Sequence, residues 1–100
     1  MNECTVNSLV LQAEPLATLS TMHMTPATRQ MLRNKDLSVN GYPTASGGFV
    51  YVGAPRYDVP LEPDLAAIFE LAERAGVVWL KFDEHASVID GLPVFDAWGE

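Results

Sequence analysis

Two stretches of the chain space their apolar residues as a helix does, and several shorter ones alternate them as a strand does. The first helical stretch opens at Thr25, a good N-cap, followed by Pro26 where a missing N–H costs nothing. It should run to about Asn34, with Ala27, Met31 and Leu32 facing the core and Arg29 and Arg33 on another side. The second begins at about Pro63, with Glu62 near the cap, and stops at Gly76, a residue suited to a left-handed C-terminal turn. Leu65, Ile68, Phe69, Leu71, Ala72 and Ala75 form one broad apolar side, while Glu62, Glu70 and Glu73 share the opposite one. Asp64 falls in the first turn, where the helix dipole favours a carboxylate.

The strand patterns are shorter. Residues 5–12 alternate imperfectly and are interrupted at Glu14-Pro15. Residues 16–22 read as a second extended stretch, or as the first resumed after a bulge. Residues 37–42 and 49–52 are expected to pair as a hairpin across the Gly/Ser-rich punctuation at 43–48, with Phe49 and Tyr51 on one face and Val50 and Val52 on the other. Residues 77–82, Val-Val-Trp-Leu-Lys-Phe, are dense enough to be a central strand. Residues 87–89 should return as an edge strand. The apolar tail 92–98, with Trp98, should pack across the domain. The order strand, helix, strand, strand, helix, strand predicts a single α+β domain over residues 1–100. It is a two-layer sandwich with two helices on an antiparallel sheet, ferredoxin-like βαββαβ in topology with a C-terminal extension.

Composition narrows this picture. A chain of 100 residues that is 48% apolar can form one modest core. It contains no apolar run of membrane-spanning length and no basic-then-apolar leader, so the expected setting is the cytoplasm without a membrane partner. One cysteine excludes an internal disulfide framework.

The net charge of −7 is unevenly placed. In residues 1–50, Arg29, Arg33 and Lys35 balance Glu3, Glu14 and Asp36; in residues 51–100 ten acids face Arg56, Arg74 and Lys81. A reader of the DNA backbone needs the opposite charge. A protein or nucleoprotein complex with a basic surface is the better electrostatic match. The residues offered for such a contact are Glu62, Glu70 and Glu73 on the second helix, Tyr57 and Asp58 in a proline-flanked loop, and Asp83 and Glu84 after the central strand. Asp90 and Asp96 add to the same charge.

Catalytic and cofactor signatures are lacking. Cys4, His23 and His85 lie far apart and have no metal-ligand spacing, and His23 reads as a structural residue. Gly47-Gly48 leads into a strand, so it is hairpin punctuation rather than a phosphate loop. Glu70 and Glu73 share a face that reads as exposed, unsuited to separating two proton affinities. No cofactor or metal is called for. An enzyme would have to assemble a site from His23, Tyr42, Arg56 or Asp83. The aromatics Tyr42, Tyr51, Tyr57, Trp79 and Trp98 are residue types enriched at interface cores.

Several segments resemble a family of small uncharacterised proteins from proteobacterial plasmids, prophages and other mobile elements. They are Leu19–Thr28 (LSTMHMTPAT), Leu37–Thr44 (LSVNGYPT), Gly47–Val52 (GGFVYV), Asp64–Phe69 (DLAAIF), Trp79–Asp83 (WLKFD) and Gly91–Phe95 (GLPVF), spread over about the last 80 residues. The resemblance carries over no catalytic residues. It implies a bacterial or phage setting, in which small acidic proteins serve as inhibitors of host defence, anti-CRISPR proteins among them. That step is an analogy of context. The functions in view are therefore a non-enzymatic inhibitor of a host defence complex such as CRISPR-Cas, a homodimeric accessory module of a mobile element, and a small enzyme.

Overall fold

The alternation Trp79-Leu80-Lys81-Phe82-Asp83 sends Leu80 and Phe82 to one side, where both are buried, and leaves the other three half-buried on the opposite side. That segment is the centre of the fold in a computed structural model, which describes residues 3–95. The strands are β1 (Leu16–Ser20), β2 (Gly41–Thr44), β3 (Gly47–Tyr51) and β4 (Trp79–Asp83), and the helices are α1 (Glu3–Gln12), α2 (Pro26–Arg33) and α3 (Pro63–Ala75). The strands form one sheet in the order β1-β4-β3-β2. β4 runs parallel to β1, with Leu16 beside Trp79, and antiparallel to β3, with Tyr51 beside Trp79. The β2–β3 hairpin completes the other edge.

The fold is α+β, but the sheet is mixed and a third helix is present. The order also departs from the ferredoxin-like expectation. In that topology the first strand lies between the fourth and the third and is antiparallel to both, whereas here β4 lies between β1 and β3 and runs parallel to β1.

The core joins Leu19, Val50, Leu80 and Phe82 from the sheet, and Val52 just after β3, to Leu32 of α2 and Leu65, Ile68, Phe69 and Ala72 of α3. Leu71 and Ala75, expected on that face, are exposed, and Thr28 rather than Ala27 is buried beside Leu32 in α2. A buried threonine is tolerated because its hydroxyl is satisfied. Thr28 Oγ1 donates to Asp64 Oδ1 at 2.9 Å, and the other carboxylate oxygen accepts the Thr25 N–H at 2.8 Å. The first turn of α3 is thereby pinned to the capped start of α2.

Three sequence expectations are corrected. Residues 5–12, expected as a strand, are helical. Val6, Leu9, Val10 and Ala13 follow the i, i+3, i+4, i+7 spacing that the imperfect alternation obscured. None of the ten residues of α1 is buried, and Leu9, Val10 and Leu11 are more than half exposed. Removing residues 1–12 should therefore shift the urea-unfolding free energy by less than about 0.5 kcal/mol. A larger loss would mean that α1 packs on the domain in solution.

Residues 37–40 are not a strand, because Ser38 is engaged by Glu62, and β2 begins only at Gly41. Residues 87–89 form no strand either. The Ile89 N–H that would serve a ladder donates to His23 Nε2 at 2.9 Å.

His23 is 1% exposed, and its Nδ1 donates to the Pro93 carbonyl at 2.8 Å. With Phe95 N–H on the Met22 carbonyl, this ties the start of the tail to the domain. Asp96 and Trp98 lie outside the described residues.

Candidate functional site

Helices α2 and α3 pack on one face of the sheet, and the alternation that fills the core also sets the opposite face. Leu16 and Thr18 of β1, Tyr42 of β2, Phe49 and Tyr51 of β3, and Trp79, Lys81 and Asp83 of β4 point there. Register makes neighbours of the rings. Trp79 lies 4.8 Å from Tyr51 and 6.1 Å from Tyr42, centroid to centroid, and Tyr57 continues the row 6.3 Å beyond Tyr51. All three pairs are tilted by 47–58°, within the geometry aromatic quadrupoles favour.

Lys81 Nζ stands 6.0 Å above Phe49, the outer limit of a cation–π contact. Leu16, Tyr42, Phe49 and Trp79 line a shallow apolar depression of about 420 Å³. No described element covers this face. Such a run of aromatic surface is what partner-binding surfaces present.

The edges of the face carry acid. Glu14 Oε1 accepts the Trp79 indole N–H at 3.1 Å, fixing the ring that links the row. Asp83 projects from β4 and accepts the His85 N–H at 2.9 Å. Glu84 follows, 3.5 Å from His85 Nε2. Asp58 adjoins Tyr57, which is 72% exposed, and accepts the Val59 N–H at 2.9 Å.

The other sequence candidates do not join this face. Glu70 and Glu73 are exposed on α3, in the opposite layer, and Glu73 meets Arg56 at 3.5 Å. Glu62, placed by the helical wheel with Glu70 and Glu73, is buried. Its carboxylate accepts the Ser38 N–H at 3.0 Å and the Ser38 hydroxyl at 2.6 Å. The wheel misplaces it because the N-cap lies outside the helix, with extended backbone at φ −71° and ψ 120°. The acidic residues therefore divide between two layers.

The groups considered for an enzyme are also dispersed. His23 is in the core, Tyr42 and Asp83 are on the open face, and Arg56 is beside α3. Among the described residues no three His, Cys, Asp or Glu side chains come together to hold a metal ion. No described helix is long and apolar enough to cross a membrane.

Trp79 and Tyr42 are marked by the sequence as interface-type aromatics, but nothing in it places them on one face with Phe49 and Tyr51. The Phe49/Tyr51 alternation marked half of it, but adding Trp79 requires the β3–β4 register.

A helical layer on one side of a four-stranded sheet, with the other side bare and aromatic, defines an open-faced α+β sandwich. Residues 16–97 match the C-terminal domain of a family of unknown function (DUF5983), and the chain belongs to that family. The match begins at the first residue of β1, so α1 precedes it. No curated protein and no solved structure matches the chain.

Proposed function

We propose that this chain is a non-enzymatic interaction domain that docks a protein partner across its open aromatic sheet face. The observation that carries the reading is the row Tyr42–Trp79–Tyr51–Tyr57, laid over a sheet with no covering layer. Rigid aromatic side chains bury large areas with little loss of rotamer freedom, so such rows make strong anchors. Glu14, Asp58 and Asp83 at the margins suit a partner whose apolar patch is ringed by Lys or Arg. The net charge of −7 disfavours stacking nucleic-acid bases on the same rings, because the backbone would be repelled.

The mobile-element resemblance supports a cytoplasmic host-defence complex, such as a CRISPR-Cas effector with a basic nucleic-acid channel, as the partner. The alternative occupant is a second copy, which would make the domain a homodimeric accessory module.

The test uses the purified full chain as bait in host lysate, beside two variants. Tyr42→Ala/Tyr57→Ala should weaken the captured complex at least about 30-fold, the scale of a two-residue hot spot. Glu70→Lys/Glu73→Lys should leave it unchanged. Loss only in the charge-reversed variant would move the contact to α3 and overturn the sheet-face reading. Light scattering over a concentration series separates the occupants, since a dimer abolished by the tyrosine variant would assign the face to self-association.

A further inference from the structure

A second concavity lies away from the aromatic face. It is a polar cleft of about 210 Å³ at the carboxyl ends of the parallel strands β1 and β4, between α2 and the β2–β3 turn. Thr21 follows β1, Glu84 follows β4, Arg29 and Arg33 come from α2, and Thr44 and Ser46 come from the hairpin.

Two features set this cleft apart in an acidic chain. Arg29 is fixed without an acidic partner among the described residues. Its Nε donates to the Thr21 and Met24 carbonyls, each at 2.9 Å, and its Nη2 to the Phe95 carbonyl. A full positive charge is therefore held in place by peptide dipoles, with no described carboxylate paired to it. Arg33, one turn further along, makes no ion pair or hydrogen bond among the described residues. The side-chain hydroxyls of Thr21, Thr44 and Ser46 are likewise without a protein partner among them. A free guanidinium fork and three free hydroxyls, contributed by three different segments, thus line one small space.

We propose that this cleft binds a phosphate group, either as the free ion or as the end of a small phosphomonoester. Arginine presents parallel N–H donors matched to phosphate or carboxylate oxygens. Adding three hydroxyls asks for more acceptor oxygens than the two of a carboxylate, and a tetrahedral oxyanion supplies them. Glu84 lines the same cleft and repels such a ligand, so it limits affinity and biases the site toward weak, exchangeable binding.

The probe is inorganic phosphate, titrated into the chain of residues 1–100 at constant ionic strength with chloride as the control, and followed by amide and arginine side-chain NMR. Saturable shifts are expected at Ala45, Ser46, Gly47 and the Arg33 side chain. Arg33→Gln should weaken the midpoint at least tenfold, and Glu84→Gln should tighten it several-fold. Arg33 and Glu84 are exposed, and the same spectra verify that both variants fold. A second titration with glycerol phosphate tells the two sources apart: tighter binding assigns a phosphomonoester and equal binding the free ion. Absence of saturation, or identical titrations for the native chain and Arg33→Gln, overturns the proposal. Weaker binding by Glu84→Gln overturns it too, because a carboxylate that helps the ligand is incompatible with an anion.

Discussion

Gly47→Ala should destabilise the domain by at least about 3 kcal/mol, enough to unfold a marginal domain of this size. A β-carbon on Gly47 would sit 1.9 Å from the Phe82 carbonyl oxygen, 2.6 Å from its carbon and 3.2 Å from the Asp83 nitrogen. All three atoms belong to the backbone of β4, so no side chain can swing aside. Making room requires the start of β3 to separate from β4 where Gly47 pairs with Asp83. That movement also strains the adjoining bond from the Glu84 N–H to the Ser46 carbonyl, 2.8 Å long. Gly76→Ala is the control. Gly76 has φ +77° and nothing within 4 Å of a β-carbon, so only the left-handed backbone penalty of about 1 kcal/mol applies. Urea unfolding of both variants decides the matter, and equal losses would show that β3 does not approach β4 this closely.

Glu62→Ala should cost about 2–3 kcal/mol, the range for losing charge-assisted hydrogen bonds at a buried site. Its carboxylate holds both the N–H and the hydroxyl of Ser38, and the same hydroxyl accepts the Leu61 N–H at 2.8 Å. Loss of Glu62 would free the loop before β2 from the start of α3. Glu70→Ala and Glu73→Ala, on the exposed side of α3, should each change stability by no more than about 0.5 kcal/mol. The contrast is measurable by the same unfolding curves. A Glu62 effect no larger than the other two would return it to the surface set.

These two sites show where sequence reasoning reaches and where it stops. Thr25-Pro26 and Gly76 mark helix ends by local chemistry, and both helices occur where those residues place them. The density of residues 77–82 correctly marks a central strand, because Leu80 and Phe82 fill the core while Trp79 adds an apolar ring to the open face. The pairing of β1 with β4 leaves none. Leu16 and Trp79 are more than sixty residues apart, and no turn between them sets their register. The open face inherits that difficulty, since it becomes continuous only when Trp79 lies beside Tyr51. Glu62 and Asp64 were misjudged or undervalued for one shared reason. Their partners, Ser38 and Thr25–Thr28, come from distant segments, and a helical wheel describes a helix in isolation.

The central position of β4 has a consequence for folding during synthesis. A nascent chain that has completed β1, the hairpin and α3 still lacks the strand that joins them. Until β4 emerges, β1 has no neighbour and one edge of β3 stands open, with the core residues of α2 and α3 facing an incomplete sheet. Closure then unites the two pieces in a single late step governed by non-local contacts, the kind that folds slowly. During that interval the exposed β3 edge is a site for mispairing between neighbouring nascent chains on one message, and synthesis speed after Gly76 becomes a determinant of yield.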